Sequence, residues 1–161
     1  MKKVAIMFAA SVLLILGLFS GTAVADQSCS EVQANVTEIS PVFTGSNPVC
    51  NGFDNCQYVE IRGTLNGQWW SFWDIEDEEF VANFTAIVFA AEDVFKTNRG
   101  EIYAQERAII NFSATDAFVS HIGVTGGTDA YEGATGWIAA FVANFFDAKG
   151  RLEGEICTNG D

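Results

Sequence analysis

The stretch Gly123-Val124-Thr125-Gly126-Gly127-Thr128-Asp129-Ala130-Tyr131-Glu132-Gly133-Ala134-Thr135-Gly136 decides how the chain is read. It joins two apolar, strand-like runs, Thr115 to Thr125 and Tyr131 to Phe146. Glycines so placed mark points where a β backbone turns, bulges or passes close to a neighbour. A nucleotide loop is excluded, because there is no Gly-x-Gly-x-x-Gly, no Gly-Lys-Ser/Thr and no helical pattern after it.

Outward from that stretch the pattern stays β. Glu101 to Phe112 precedes it, reached through an Asn98-Arg99-Gly100 turn, and Arg151 to Thr158 follows an Asp147–Gly150 turn. Further back, Glu31 to Ile39 and Cys56 to Leu65 alternate apolar and polar residues, the period of a half-buried strand. Asn66-Gly67 then signals a tight hairpin to a return strand, Gln68 to Ile75. Phe80 to Ala91 is apolar on nearly every residue and is expected to be one strand covered on both faces. Seven or eight strands separated by turn residues, with no amphipathic helix, predict an antiparallel barrel or sandwich.

The chain starts Met1-Lys2-Lys3, runs apolar from Val4 to Phe19, and reaches Ala23-Val24-Ala25 before Asp26. This is the layout of a cleaved secretory signal peptide over 1–25, leaving one domain over 26–161. The apolar run is short for a membrane span, so no stable membrane anchor is expected. Without the leader, six basic residues face 21 acidic ones, a net charge of −15. Such a charge disfavours nucleic acid and anionic membrane surfaces. Cys29, Cys50, Cys56 and Cys157 read as two disulfides in an oxidising compartment, periplasmic or extracellular. Three pairings are open. The preferred one joins Cys50 to Cys56 as a loop clip and Cys29 to Cys157 across the chain ends. No metal site is expected, because the spacing is not that of a zinc site and the single histidine, His121, is distant in sequence.

The glycine-rich stretch resembles the signature of the allene oxide cyclase and dirigent-like barrels. That signature has a Gly-Gly-Ser/Thr-Gly turn, an aromatic residue, then Gly-Ala-x-Gly. Here the turn is Gly126-Gly127-Thr128, the aromatic is Tyr131 and the last part is Gly133-Ala134-Thr135-Gly136. Asp129 stands where the family usually has a fourth glycine, and Asp tolerates a left-handed backbone better than most residues. The resemblance covers about the last third of the chain. It implies an eight-stranded antiparallel closed barrel around an apolar cavity, association as a trimer, and a function of holding a small hydrophobic molecule. The family's catalytic residues lie in earlier strands, where nothing matches, and none is carried over.

Three functions follow as expectations: a dirigent-like scaffold that binds a small hydrophobic molecule, a cyclase or isomerase acting on one, and a structural envelope protein with a filled barrel. No cofactor is implied. Trp70, Phe72, Tyr103 and Phe118 are the candidate ligand-facing aromatics, although core and subunit contact explain Trp69, Trp70, Phe72 and Trp73 more simply. His121, with Arg107 and Glu106 on the neighbouring strand, is the candidate for moving a proton or polarising a ligand oxygen. More often a histidine so placed is part of a barrel wall. The acidic run Asp74, Glu76, Asp77, Glu78 and Glu79 lacks the spacing and glycine of a calcium loop and reads as a solvated turn. The acceptor patterns at Asn35, Asn83 and Asn111 read as accidental.

Overall fold

A computed structural model of the chain describes residues 27–81, 85–112, 117–144 and 149–159. The leader over 1–25, Asn83, and the 147–148 part of the last turn lie outside the described residues. The strands are β1 (Gln27–Ile39), β2 (Phe43–Thr44), β3 (Asn55–Gly63), β4 (Gly67–Trp73), β5 (Glu78–Val81), β6 (Ala86–Thr97), β7 (Gly100–Asn111), β8 (Ala117–Gly127), β9 (Thr135–Asn144) and β10 (Lys149–Asn159). They pair in the order β1-β10-β9-β8-β7-β6-β4-β3, and β3 pairs back onto β1. All pairings are antiparallel, so eight strands close into a barrel and β2 and β5 are short additions on β3 and β6.

The period of two decides which side chains fill the barrel. On β7, Ile102, Ala104, Glu106 and Ala108 are buried, while Tyr103, Gln105, Arg107 and Ile109 face out. On β8, Phe118, Ser120, Ile122 and Val124 point inward. Phe95, Ile102, Ile122, Ile138 and Leu152 meet inside with no exposed surface at all. Each such side chain contributes about 1.5–3 kcal/mol relative to leaving it in water.

Two expected boundaries move. Phe80 to Ala91 is not one strand: the chain reverses between Val81 and Ala86, and β5 pairs with β6 through Val81↔Ala86 and Glu78↔Phe89. β4 pairs with the other half of β6, from Glu92 to Thr97, so β4 and β5 follow one another along a single edge. Phe80 is 53% exposed, so the two-sided burial expected there does not hold. Nor is Asn66-Gly67 the centre of a two-residue hairpin. Ile61 pairs with Gly67, leaving Arg62 to Asn66 between them, because the end of β3 leaves β4 to pair with β1 through Ala34↔Gly63. Asn66 spans the wider turn, its side chain accepting from the Gly63 N–H at 2.9 Å and donating to the Gly63 carbonyl at 2.8 Å.

The glycine-rich stretch closes one end of the barrel. After β8, a 3-10 turn over Asp129–Tyr131 folds back, burying Tyr131 and Ala134. Tyr131 therefore belongs to the plug rather than to β9. Asp129 adopts φ of 52°, the left-handed conformation its place in the turn calls for. Arg99 lies over the Tyr131 ring at 5.6 Å. Cys29 is bonded to Cys157 across the β1/β10 pair, where the first and last described strands meet. Cys50 is bonded to Cys56 and holds the β2–β3 loop over Trp70 and Phe72 in a small second core outside the barrel.

Candidate functional site

Among the described residues, the end of the barrel away from the plug encloses a space. Paired positions on β6 and β7 step inward from that end: Ile87 opposite Ile110, Phe89 opposite Ala108, Ala91 opposite Glu106, then Asp93 opposite Ala104. A cavity of about 120 Å³ follows these steps. Ile39, Val42, Ile87 and Ile110 line its outer part, Trp69, Trp73, Phe89, Phe118 and Val142 its walls, and Ser71, Glu106 and Gln57 its polar lining. Glu78 reaches the rim and accepts a 2.8 Å hydrogen bond from the Trp73 indole N–H. The volume approaches the ~150 Å³ of an engineered apolar cavity that accepts benzene.

Glu106 and Asp93 are each only 2% exposed. Ser71 donates to one oxygen of Glu106 at 2.9 Å, and the other oxygen has no partner. Asp93 lies beside Glu106, Ser71 and Trp69, yet neither of its oxygens has a hydrogen bond of good geometry. The Ser120 hydroxyl and the Trp69 indole N–H are also unpaired, although Ser120 adjoins Glu106. Unpaired buried polar atoms are uncommon in folded proteins, and each calls for an explanation such as a bound water, an ion or a catalytic role. Among the described residues all six basic side chains face out, so none of them balances the two acids.

Burial pushes the Glu106 carboxyl up to about 7, against the opposing hydrogen-bonding influence of Ser120, Ser71 and Asp93. Burial first, and then the negative charge of Glu106, pushes Asp93 well above the usual carboxylate range. The folded protein thus holds these protons more tightly than the unfolded chain. Stability is full below the unfolded values near pH 4 and falls as pH rises toward 7 and beyond. Glu106→Gln removes one of the two titrations. Urea melts between pH 5 and 7 are expected to show a shallower fall in the variant, by up to ~1.4 kcal/mol per pH unit and about 2 kcal/mol over that range, because the folded carboxyl is itself half ionised near 7. Equal slopes in the two proteins would show that Glu106 is already ionised in the fold.

The residues named from sequence divide between the two sides of the wall. Glu106 and Phe118 face the cavity. Arg107 and His121 are opposite one another on β7 and β8, but both are exposed on the outside. They border an open groove of about 530 Å³ with Phe53, Phe72, Asp74 and Asp77. His121 is therefore not part of an apolar wall; Glu106 also borders this groove, but its carboxyl lies on the inner side with Ser71. Trp70 and Phe72 lie outside under the Cys50–Cys56 loop, and Tyr103 is exposed with its hydroxyl donating to Glu101 at 3.2 Å. In the acidic turn, Asp74 and Asp54 brace each other's backbone: Asp54 N–H donates to Asp74 at 2.9 Å and Ile75 N–H to Asp54 at 3.2 Å.

Asp93, Ser71 and Ser120 were not among the sequence candidates. Their signal is an acid or hydroxyl placed in register with inward apolar residues: Asp93 between Ala91 and Phe95, Glu106 between Ala104 and Ala108, Ser120 between Phe118 and Ile122. Comparison with family models, with curated proteins and with solved structures finds no match to this chain.

Proposed function

We propose that this is an exported binding barrel of the dirigent and allene oxide cyclase type, which holds a small hydrophobic molecule in its interior. The cavity walled by Trp69, Trp73, Phe89 and Phe118 carries this reading. Pockets that orient ligands are typically apolar with a few placed polar groups, and Ser71, Glu106 and Gln57 are of that kind. The resemblance of the Gly126–Gly136 segment supports the family. The two disulfides are consistent with an oxidising, exported environment, and among the described residues no helix is long and apolar enough to cross a membrane. The leader-like Met1–Ala25 segment supports export to the periplasm or beyond. An outer row of Ile109, Val119 and Phe141, neighbours across β7, β8 and β9 and each about two-fifths exposed, supports a homo-oligomer.

Benzene is the probe suited to the space. It is expected to raise the melting temperature of the protein, and Val142→Phe, which fills the cavity, is expected to abolish that rise. No rise in the parent protein would favour a filled envelope barrel. A cyclase or isomerase is the second reading, favoured by Glu106, whose proton affinity near neutrality suits proton transfer inside the cavity. It requires Glu106→Gln to lose turnover while benzene still binds.

A further inference from the structure

We propose that the cavity is built for a small alkylammonium, its charged nitrogen at Glu106 and its alkyl body among the four aromatic rings. This rests on the inner cavity being a ligand site. The balance of donors and acceptors points to it. Around the two acids, three carboxyl oxygens lack a partner, one on Glu106 and two on Asp93. The Ser71 hydroxyl is already given to Glu106, and the Gln57 side-chain amide to the Ser40 carbonyl at 2.6 Å. The Ser120 hydroxyl, the Trp69 N–H and the proton that Asp93 retains are the side-chain donors left in this cluster, and none of them carries a positive charge. A ketone or ester would bring further acceptors and no charge to set against Glu106 once it ionises. An ammonium brings donors only, with a positive charge where no protein cation reaches.

The walls fit the same ligand. Trp73 and Phe89 have ring centroids 5.7 Å apart, Phe89 and Phe118 6.3 Å, and Phe118 and Trp69 6.1 Å. This is a continuous run of tilted aromatic rings lining the same cavity as a buried carboxyl. Ring faces attract cations, and the attraction grows when water is excluded. The volume of about 120 Å³ limits the alkyl body to a few carbons. The ion pair also answers the cost of burying Glu106 as a charge, which an unpaired carboxylate cannot offset.

The experiment is calorimetric titration of the disulfide-intact protein at 0.15 M salt with butylammonium, 1-butanol and butyrate, three probes of similar size. At pH 8, butylammonium is expected to bind at least tenfold more tightly than 1-butanol, and butyrate not at all. Glu106→Gln should bring the amine and the alcohol to within threefold of each other. Val142→Phe keeps the acidic surface but fills the cavity, so it should lose the amine; retained binding would place the cation outside and overturn the proposal. The parent protein gives an independent readout. Glu106 is faced by Ser71 on β4, Asp93 on β6 and Ser120 on β8, and Glu78 at the rim is the other titratable group lining the cavity. Butylammonium remains protonated throughout, so its affinity should rise at least threefold from pH 5.5 to 8.5 while that of 1-butanol stays level. A flat amine profile, or alcohol binding equal to amine binding, overturns the ammonium site and leaves the apolar cavity standing. Failure of butylammonium, 1-butanol and benzene together removes both.

Discussion

Replacing Cys29 and Cys157 together by serine is expected to lower the melting temperature by roughly 15 °C. The bond joins residues 128 apart in sequence. A cross-link closing so long a loop removes much of the freedom of the unfolded chain, worth about 5 kcal/mol in the chain-entropy account. For a domain of this length that corresponds to a melting shift of about that size. Its position adds to the case. β1 and β10 carry the two ends of the domain, and their pairing completes the ring of strands. Serine at both Cys50 and Cys56 opens a loop of separation 6 and is expected to cost only about 2 kcal/mol. It should disturb the Trp70 and Phe72 environment in near-ultraviolet circular dichroism without loosening β1. The measurement is a pair of thermal melts with hydrogen exchange on β1 and β10. An equal or smaller loss for the long-range pair would mean that the strand ladder alone holds the seam.

The strands were legible because side chains on a strand repeat every two residues, which left barrel and sandwich open; closure into a barrel rested on the resemblance of the glycine-rich stretch. Glu101–Phe112 and Thr115–Thr125 read correctly from that period, within a residue or two of β7 and β8. Composition misled at Phe80–Ala91. Alternation fades where most residues are apolar, and Asn83 and Thr85, the two polar residues of the run, fall between β5 and β6 without the glycine or proline that would mark a turn. The Asn66-Gly67 turn failed for a different reason. Whether β3 stays with β4 or crosses to β1 depends on long-range pairing, and local turn chemistry carries no information about it.

Faces were harder than strands. The period correctly separates Trp69 and Trp73 from Trp70 and Phe72, but it does not say which pair is inside. The Cys50–Cys56 loop supplies a second apolar shelter, so the outward pair is also buried and composition cannot tell them apart. The same ambiguity put His121 and Arg107 in a site with Glu106, although residues 106 and 107 must point to opposite sides of one strand. Register settles it: Glu106 shares its face with Ala104 and Ala108, and Arg107 shares its own with Gln105 and Ile109. Asp93 follows the same rule. The acids at the site are the inward positions that break the apolar pattern, and they stand out once the inward face is known.

Gly136→Ala is expected to cost on the order of 4 kcal/mol or to prevent folding, whereas Gly126→Ala, ten residues earlier in the same motif, should change stability by less than about 1 kcal/mol. A Cβ on Gly136 would stand 2.1 Å from the Glu155 carbonyl oxygen, with its bonded carbon 3.0 Å away. Both are backbone atoms of β10, so no side chain can swing aside. The backbone at Gly136 also has φ of 139°, a region that side chains with L chirality rarely enter. The two penalties have one origin. β9 leaves the plug at Thr135 and must bend at once onto β10, where Gly136 pairs with Ile156 beside the Cys157 bond. Gly126 has no atom within 4 Å of its would-be Cβ, so the motif's glycines are not equivalent despite their common spacing. Urea titrations of the two variants, followed by tryptophan fluorescence, measure the difference. Similar midpoints for both would mean that β9 can move off β10 without loss, and the barrel would then not be pinned at this corner.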